Sequence, residues 1–233
     1  SMTPRTNLLG RPVLKTRTTK KATTKAVFLG LLLYLGVVTG AVCQEAPSRP
    51  EAGRKYLFYL HGAWLETHGL HTPHPRHGVY EYDRMVRTFS EKGYDVVSEV
   101  RSSETHPVSY SQKIAAQVKD LLGKGVPPEN ITVMGHSKGG HMALLISSLV
   151  EAERIHYVIL AGCGRPNSPF RPTYEKLLTD PGFSPRGRFL SLYDAADREA
   201  GTCEEALARV PQGNVDERMF QTGKGHGLFY APY

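Results

Sequence analysis

The sequence predicts an α/β protein built on a doubly wound, mostly parallel sheet. Three observations point there. Apolar runs of strand length alternate with amphipathic stretches of helical period across residues 55–233. Glycine and proline punctuate the joins between them. Two apolar runs end in glycine-containing turns, His61-Gly62 and Gly135-His136-Ser137-Lys138-Gly139, at the carboxyl ends of strands where such sheets hold ligands.

The elements follow in order. Residues 56–60 (Tyr-Leu-Phe-Tyr-Leu) read as a first strand. Residues 79–92 place Tyr82, Met85, Val86 and Phe89 on one helical face, and Gly93 stops the helix. Residues 94–100 form a second strand. Residues 110–122 form a helix with Ile114, Val118, Leu121 and Leu122 on one side. Pro127 to Asn130 make a turn into a buried strand, residues 131–135. A helix over 138–152 and a strand over 156–162 come next. A strand over 188–193, a helix near 203–210 and a last strand over 216–222 complete the set. Crossovers between successive strands make the sheet parallel.

The charge pattern separates a leader from this body. The chain of 233 residues carries 29 Lys and Arg against 22 Asp and Glu, a net of +7. Residues 1–25 hold Arg5, Arg11, Lys15, Arg17, Lys20, Lys21 and Lys25 and no acid, and residues 26–43 hold no charge. Residues 44–233 therefore balance 22 cations with 22 anions. A basic face for nucleic acid is not expected on a neutral body. Cations before an apolar run that ends in small residues form an export signal. Residues 1–43 are read as a cleaved signal, with an uncleaved membrane anchor or a lipidated Cys43 as alternatives, and residues 44–54 as a linker. The protein is then periplasmic or secreted, touching membrane only through an uncleaved leader. Ser1 before Met2 is set aside as an expression scar.

Export changes the meaning of the cysteines. Cys163 and Cys203 remain in the mature body, and two cysteines in an oxidising compartment are a disulfide pair in expectation.

The turn at residues 135–139 has the pattern G-x-S-x-G between a buried strand and a helix. That context suits a nucleophile elbow, where a strained turn raises a serine above the sheet and small neighbours let the strand and helix approach. Ser137 is the candidate nucleophile. Backbone N–H groups of Ala63 and Lys138 are the candidate oxyanion donors. Asp194 and Asp197 follow the strand over 188–193, and His226 follows the last strand. The chain order serine, acid, histidine is that of a catalytic triad.

With these residues in place, the body resembles the α/β-hydrolases, small bacterial ones in particular. The stretches that carry the likeness are YLFYLHGAW, HPRHGVYEY, DVVSEVR, GVPPENITVMGHSKGG, LSLYDAADREAGTC and GKGHGLFYAP. The resemblance implies a triad of Ser137, Asp197 and His226, with no metal and no organic cofactor. It favours Asp197 over Asp194, because the family's acid usually sits three residues past this strand. About 25 residues between Cys163 and the strand over 188–193 leave little room for a large cap, so a site that is open, or covered only by residues 64–78 and 164–186, is expected. The function expected is hydrolysis of a small-molecule ester or thioester through an acyl-enzyme. A peptidase or acyltransferase on the same triad, and a non-catalytic binding protein on this scaffold, are the alternatives.

His61, His68, His71, His74 and His77 crowd one segment. Their spacing lacks a metal-binding helix, and Pro73 and Pro75 favour an irregular loop, so the segment is expected to wall the pocket together with Trp64, Glu66 and Arg76. The His136 and Lys138 side chains are expected to pack or to be solvated, with attraction of an anionic substrate as a second option for Lys138.

Overall fold

A computed structural model describes residues 53–211 and 213–232. The leader and the start of the linker lie outside the described residues. Six strands form one all-parallel open sheet: β1 (Lys55–Leu60), β2 (Tyr94–Val97), β3 (Ile131–His136), β4 (His156–Leu160), β5 (Arg188–Asp194) and β6 (Val215–Phe220). Their spatial order is β2-β1-β3-β4-β5-β6. The order reverses once, between β1 and β3, which is where an open α/β sheet offers a crevice.

Helices lie on both faces. On one, α3 (Pro107–Gly123), α4 (Lys138–Val150), α5 (Arg171–Thr179) and α6 (Glu204–Leu207) enclose the larger core. Val118, Leu121, Met142, Ile146, Val133 and Tyr157 are fully buried there. On the other, Leu65 of α1 (Ala63–His68) and Met85 of α2 (Tyr82–Glu91) pack with Leu57, Tyr59, Val96 and Tyr230. The alternation in β3 and β4 serves this arrangement: Val133, Tyr157 and Ile159 point into the larger core, while Met134 and Val158 sit half-buried on the second face.

Besides shifts of a few residues at other element ends and the unexpected helix α5, three differences from expectation have a tertiary reason. The helix expected from residue 79 begins at Tyr82. Tyr80 turns inward instead, its hydroxyl 2.8 Å from that of Tyr59, and Glu81 N–H donates to Tyr230 O at 2.7 Å. β2 ends at Val97 rather than residue 100, because Ser98 and Arg101 leave the ladder and bond β1 and the turn after it. The histidine-rich segment opens as a short helix, α1, before it becomes irregular at Pro73 and Pro75. Among the described residues the only helix between β4 and β5 is α5, and no large cap covers the sheet's carboxyl edge.

Cys163 and Cys203 form a disulfide, with Cα atoms 5.2 Å apart. It ties the loop after β4 to the start of α6, just beyond the loop that carries Asp197.

Candidate active site

Every candidate residue lies at the carboxyl edge of the sheet. Ser137 occupies the turn between β3 and α4 at φ 55°, ψ −119°, a conformation that a β-carbon disfavours. Its N–H donates to Leu160 O at 2.8 Å, which pins the turn to β4. The glycines make the turn sterically possible. A β-carbon on Gly135 would stand 2.1 Å from Gly139 O, and one on Gly139 would stand 2.1 Å from Leu60 O. Any side chain at either position would push strand and helix apart.

The donors expected for an oxyanion are the first residues of two helices. Ala63 opens α1 and Lys138 opens α4. A first-turn N–H has no acceptor within its own helix, so both groups are available to an anion at the helix ends. Gly62 lets the two loops meet: a β-carbon there would lie 2.9 Å from His136 Nδ1 and 3.4 Å from Ser137 Cβ.

The two candidate acids do different things. Asp197 Oδ2 accepts a hydrogen bond from His226 Nδ1 at 2.8 Å. Its Oδ1 accepts from the N–H groups of Glu199 (2.8 Å) and Ala200 (3.1 Å). Burial raises its pKa, but the His226 bond and charge and the two amides outweigh this and hold the carboxyl below its ordinary value. Asp194 instead accepts from Ala196 N–H, Thr222 N–H, Thr222 Oγ1–H and Gly225 N–H. It clamps the loop that delivers His226 and does not contact the imidazole.

A carboxylate only accepts, so the His226 proton is on Nδ1 and Nε2 carries the lone pair in the neutral ring. Among the described residues no hydrogen bond joins Nε2 to Ser137. Nε2 lies 3.9 Å from the Glu199 carboxylate, which Arg76 holds at 3.3 Å. Catalytic hydrogen bonds are often long without substrate and tighten when it binds.

The histidines next to the site are structural. His136 is buried, packs against His226 with ring centroids 4.8 Å apart, and donates from Nε2 to His226 O at 3.3 Å. Burial, then the His226 charge, holds its pKa well below the ordinary value, so it remains a neutral donor. Trp64 stacks on His68 at 3.5 Å and His74 stacks on His77 at 4.3 Å, in a cluster of rings that reaches Tyr230. Among the described residues no three His, Cys, Asp or Glu side chains converge as a metal site.

Lys138 is not a solvated hook. Its ammonium donates to Glu66 Oε2 at 2.5 Å and to Thr105 O at 3.2 Å. Glu66 Oε1 in turn accepts from Arg101 Nε at 2.8 Å. Arg101 had no signal in the sequence, because only folding brings it beside residues 61–66.

No protein-family model matches the chain, and no curated protein matches its sequence. Among solved structures an arylesterase is similar at a TM-score of 0.53 and 16% identity, over 80% of this chain and 73% of that one. Esterase 2 of Thermogutta terrifontis, phosphonylated by sarin, is similar at 0.49 and 14%, over 80% and 83%. A bifunctional GH43-CE protein of Bacteroides eggerthii is similar at 0.49 and 15%, over 77% of this chain; the chain spans 32% of its length. At such identities the likeness is one of fold, and the fold is that of the α/β-hydrolases.

Proposed function

We propose that the protein is a serine hydrolase that cleaves a carboxylic ester or thioester through an acyl-enzyme. The observation that carries this reading is the buried Asp197–His226 pair, 2.8 Å apart, on the same sheet edge as a serine in a strained strand-to-helix turn. The arylesterase neighbour, alike in fold, supports the same class of reaction.

In this reading Ser137 Oγ attacks the carbonyl carbon while His226 Nε2 accepts the hydroxyl proton. Asp197 holds the ring by Nδ1 and stabilises the imidazolium. The carbonyl oxygen, now an oxyanion, takes hydrogen bonds from Ala63 and Lys138 N–H at the ends of α1 and α4. The tetrahedral intermediate collapses as the protonated His226 gives its proton to the departing alcohol or thiol. Water then attacks the acyl-enzyme with His226 as base again, releasing the acid and restoring Ser137. A site without a large cap among the described residues suits small esters of varied shape.

The disulfide supports work in an oxidising compartment, as the leader implies. Among the described residues no helix is long and apolar enough to cross a membrane.

Short p-nitrophenyl esters test the reading. Wild-type protein should release p-nitrophenol with saturable kinetics, and Ser137→Ala should lower kcat by at least about 10³-fold. Equal rates for both proteins would remove Ser137 from the mechanism.

A further inference from the structure

We infer that Glu66 is a positioning residue for the oxyanion hole: its carboxylate fixes the start of α1 against the start of α4. The inference rests on the hydrolase reading above and goes beyond it to side chains that touch no reacting atom.

Glu66 lies one turn after Ala63 on α1. Its side chain is 3% exposed and its two oxygens are divided between cations from distant parts of the chain. Oε2 takes the ammonium of Lys138, the residue whose own N–H is the second oxyanion donor. Oε1 takes Nε of Arg101, whose side chain is 1% exposed. One carboxylate therefore joins the first turn of the first donor helix to the first residue of the second.

Arg101 extends this hold to the peptide just before Ala63. Its Nη2 donates to His61 O, and its backbone N–H donates to His61 Nε2 at 2.9 Å. With Nε2 accepting, the proton of the neutral His61 ring is on Nδ1, which donates to Gly62 O at 2.7 Å. The carbonyls of both His61 and Gly62 are thus fixed, and the second belongs to the peptide unit that carries Ala63 N–H. Tyr110 closes the far side, with the guanidinium 5.2 Å from its ring centroid.

Stability alone is a poor reason for such a cluster. Buried ion pairs are expensive to desolvate, and well-packed apolar residues often serve as well. The cluster does supply what an oxyanion hole requires, which is donors held so that they need not reorganise as charge develops.

Glu66→Gln tests the inference, because it keeps shape and removes the charge that holds both cations. Positioning of a group that acts only in the transition state predicts a kcat 10- to 100-fold lower with KM within about threefold. Binding of a trifluoromethyl ketone, whose hemiketal oxyanion occupies the same hole, should weaken by the same factor as kcat. The double variant with Lys138→Met should match Glu66→Gln alone, since the Lys138 linkage is already lost in Glu66→Gln and the effects would not add. If Glu66→Gln does not fold, Lys138→Met, which breaks one of the two linkages, should lower kcat and ketone affinity together by a single factor of at least about threefold. A variant that loses thermal stability yet keeps wild-type kcat and ketone affinity would overturn the inference and leave the hydrolase reading intact. Failure of a fluorophosphonate to label Ser137 in the wild-type protein would overturn that reading, and this inference with it.

Discussion

Asp197 and Asp194 are joined through the backbone, Asp197 N–H donating to Asp194 O at 3.0 Å, yet their carboxylates face different partners. One orients the imidazole of His226. The other gathers two amides and a hydroxyl from the loop that presents it and one amide from its own loop.

That division predicts different losses of activity. Asp197→Asn should lower kcat by about 10³- to 10⁴-fold, since an amide no longer selects the Nδ1–H tautomer, and should cost about 1–3 kcal/mol of stability through the charge-assisted bonds to His226 and two amides. Asp194→Asn should cost about 1–3 kcal/mol of stability by weakening charge-assisted bonds, with a much smaller fall in kcat for the folded protein. Urea titration beside steady-state kinetics separates the two. Reversed phenotypes would make Asp194 the catalytic acid.

Acid should destabilise the fold in two stages. Burial lowers His141 to about 4, and burial with the Arg101 charge lowers His61 to about 3. The unfolded chain takes up protons near pH 6.5 that these folded residues refuse. Their contribution is therefore fully present above that pH and falls by about 1.4 kcal/mol per pH unit for each histidine on acidification. Asp194 and Asp197 are held below their ordinary value, so the stability they bring is present above about pH 4 and lost below it. The urea midpoint should fall from pH 7 to pH 5 and fall further below pH 4. A midpoint at pH 5 equal to that at pH 7 would contradict this.

The sequence separates Cys163 and Cys203 by 40 residues, so their disulfide closes a long loop. Chain entropy gives about 4 kcal/mol as the ceiling of its contribution. The Cys163→Ala, Cys203→Ala double variant should lose several kcal/mol in urea, as should the reduced protein. The same loop carries Asp197, so reduction near the midpoint should remove activity before the sheet unfolds. Retained stability under reducing conditions would show the bridge to be incidental.

How far the sequence was legible follows from how local each signal is. The β3–α4 turn was legible because its glycines are demanded by contacts within a few residues, such as Gly135 against Gly139. β1, β3 and β4 were legible because burial inside a parallel sheet leaves near-continuous apolar runs, whereas β6 is an exposed edge with no such run. Pairing of Asp197 with His226 was expected only from the resemblance, since nothing local separates two aspartates three residues apart. α1 is too short to hold itself by propensity and depends on Leu65 and Glu66 finding distant partners. Arg101 sits at the end of a run that alternates like a strand, and its grip on His61 and Glu66 exists only after folding.

The most direct test is mass spectrometry after treatment with a fluorophosphonate. A nucleophilic Ser137 assisted by His226 should carry the phosphonyl group on its own peptide, at one equivalent per chain. The adduct should vanish in Ser137→Ala and form at least about 10²-fold more slowly in Asp197→Asn. An adduct on a different serine, or ester hydrolysis with Ser137 unmodified, would contradict the assignment of Ser137 as the nucleophile.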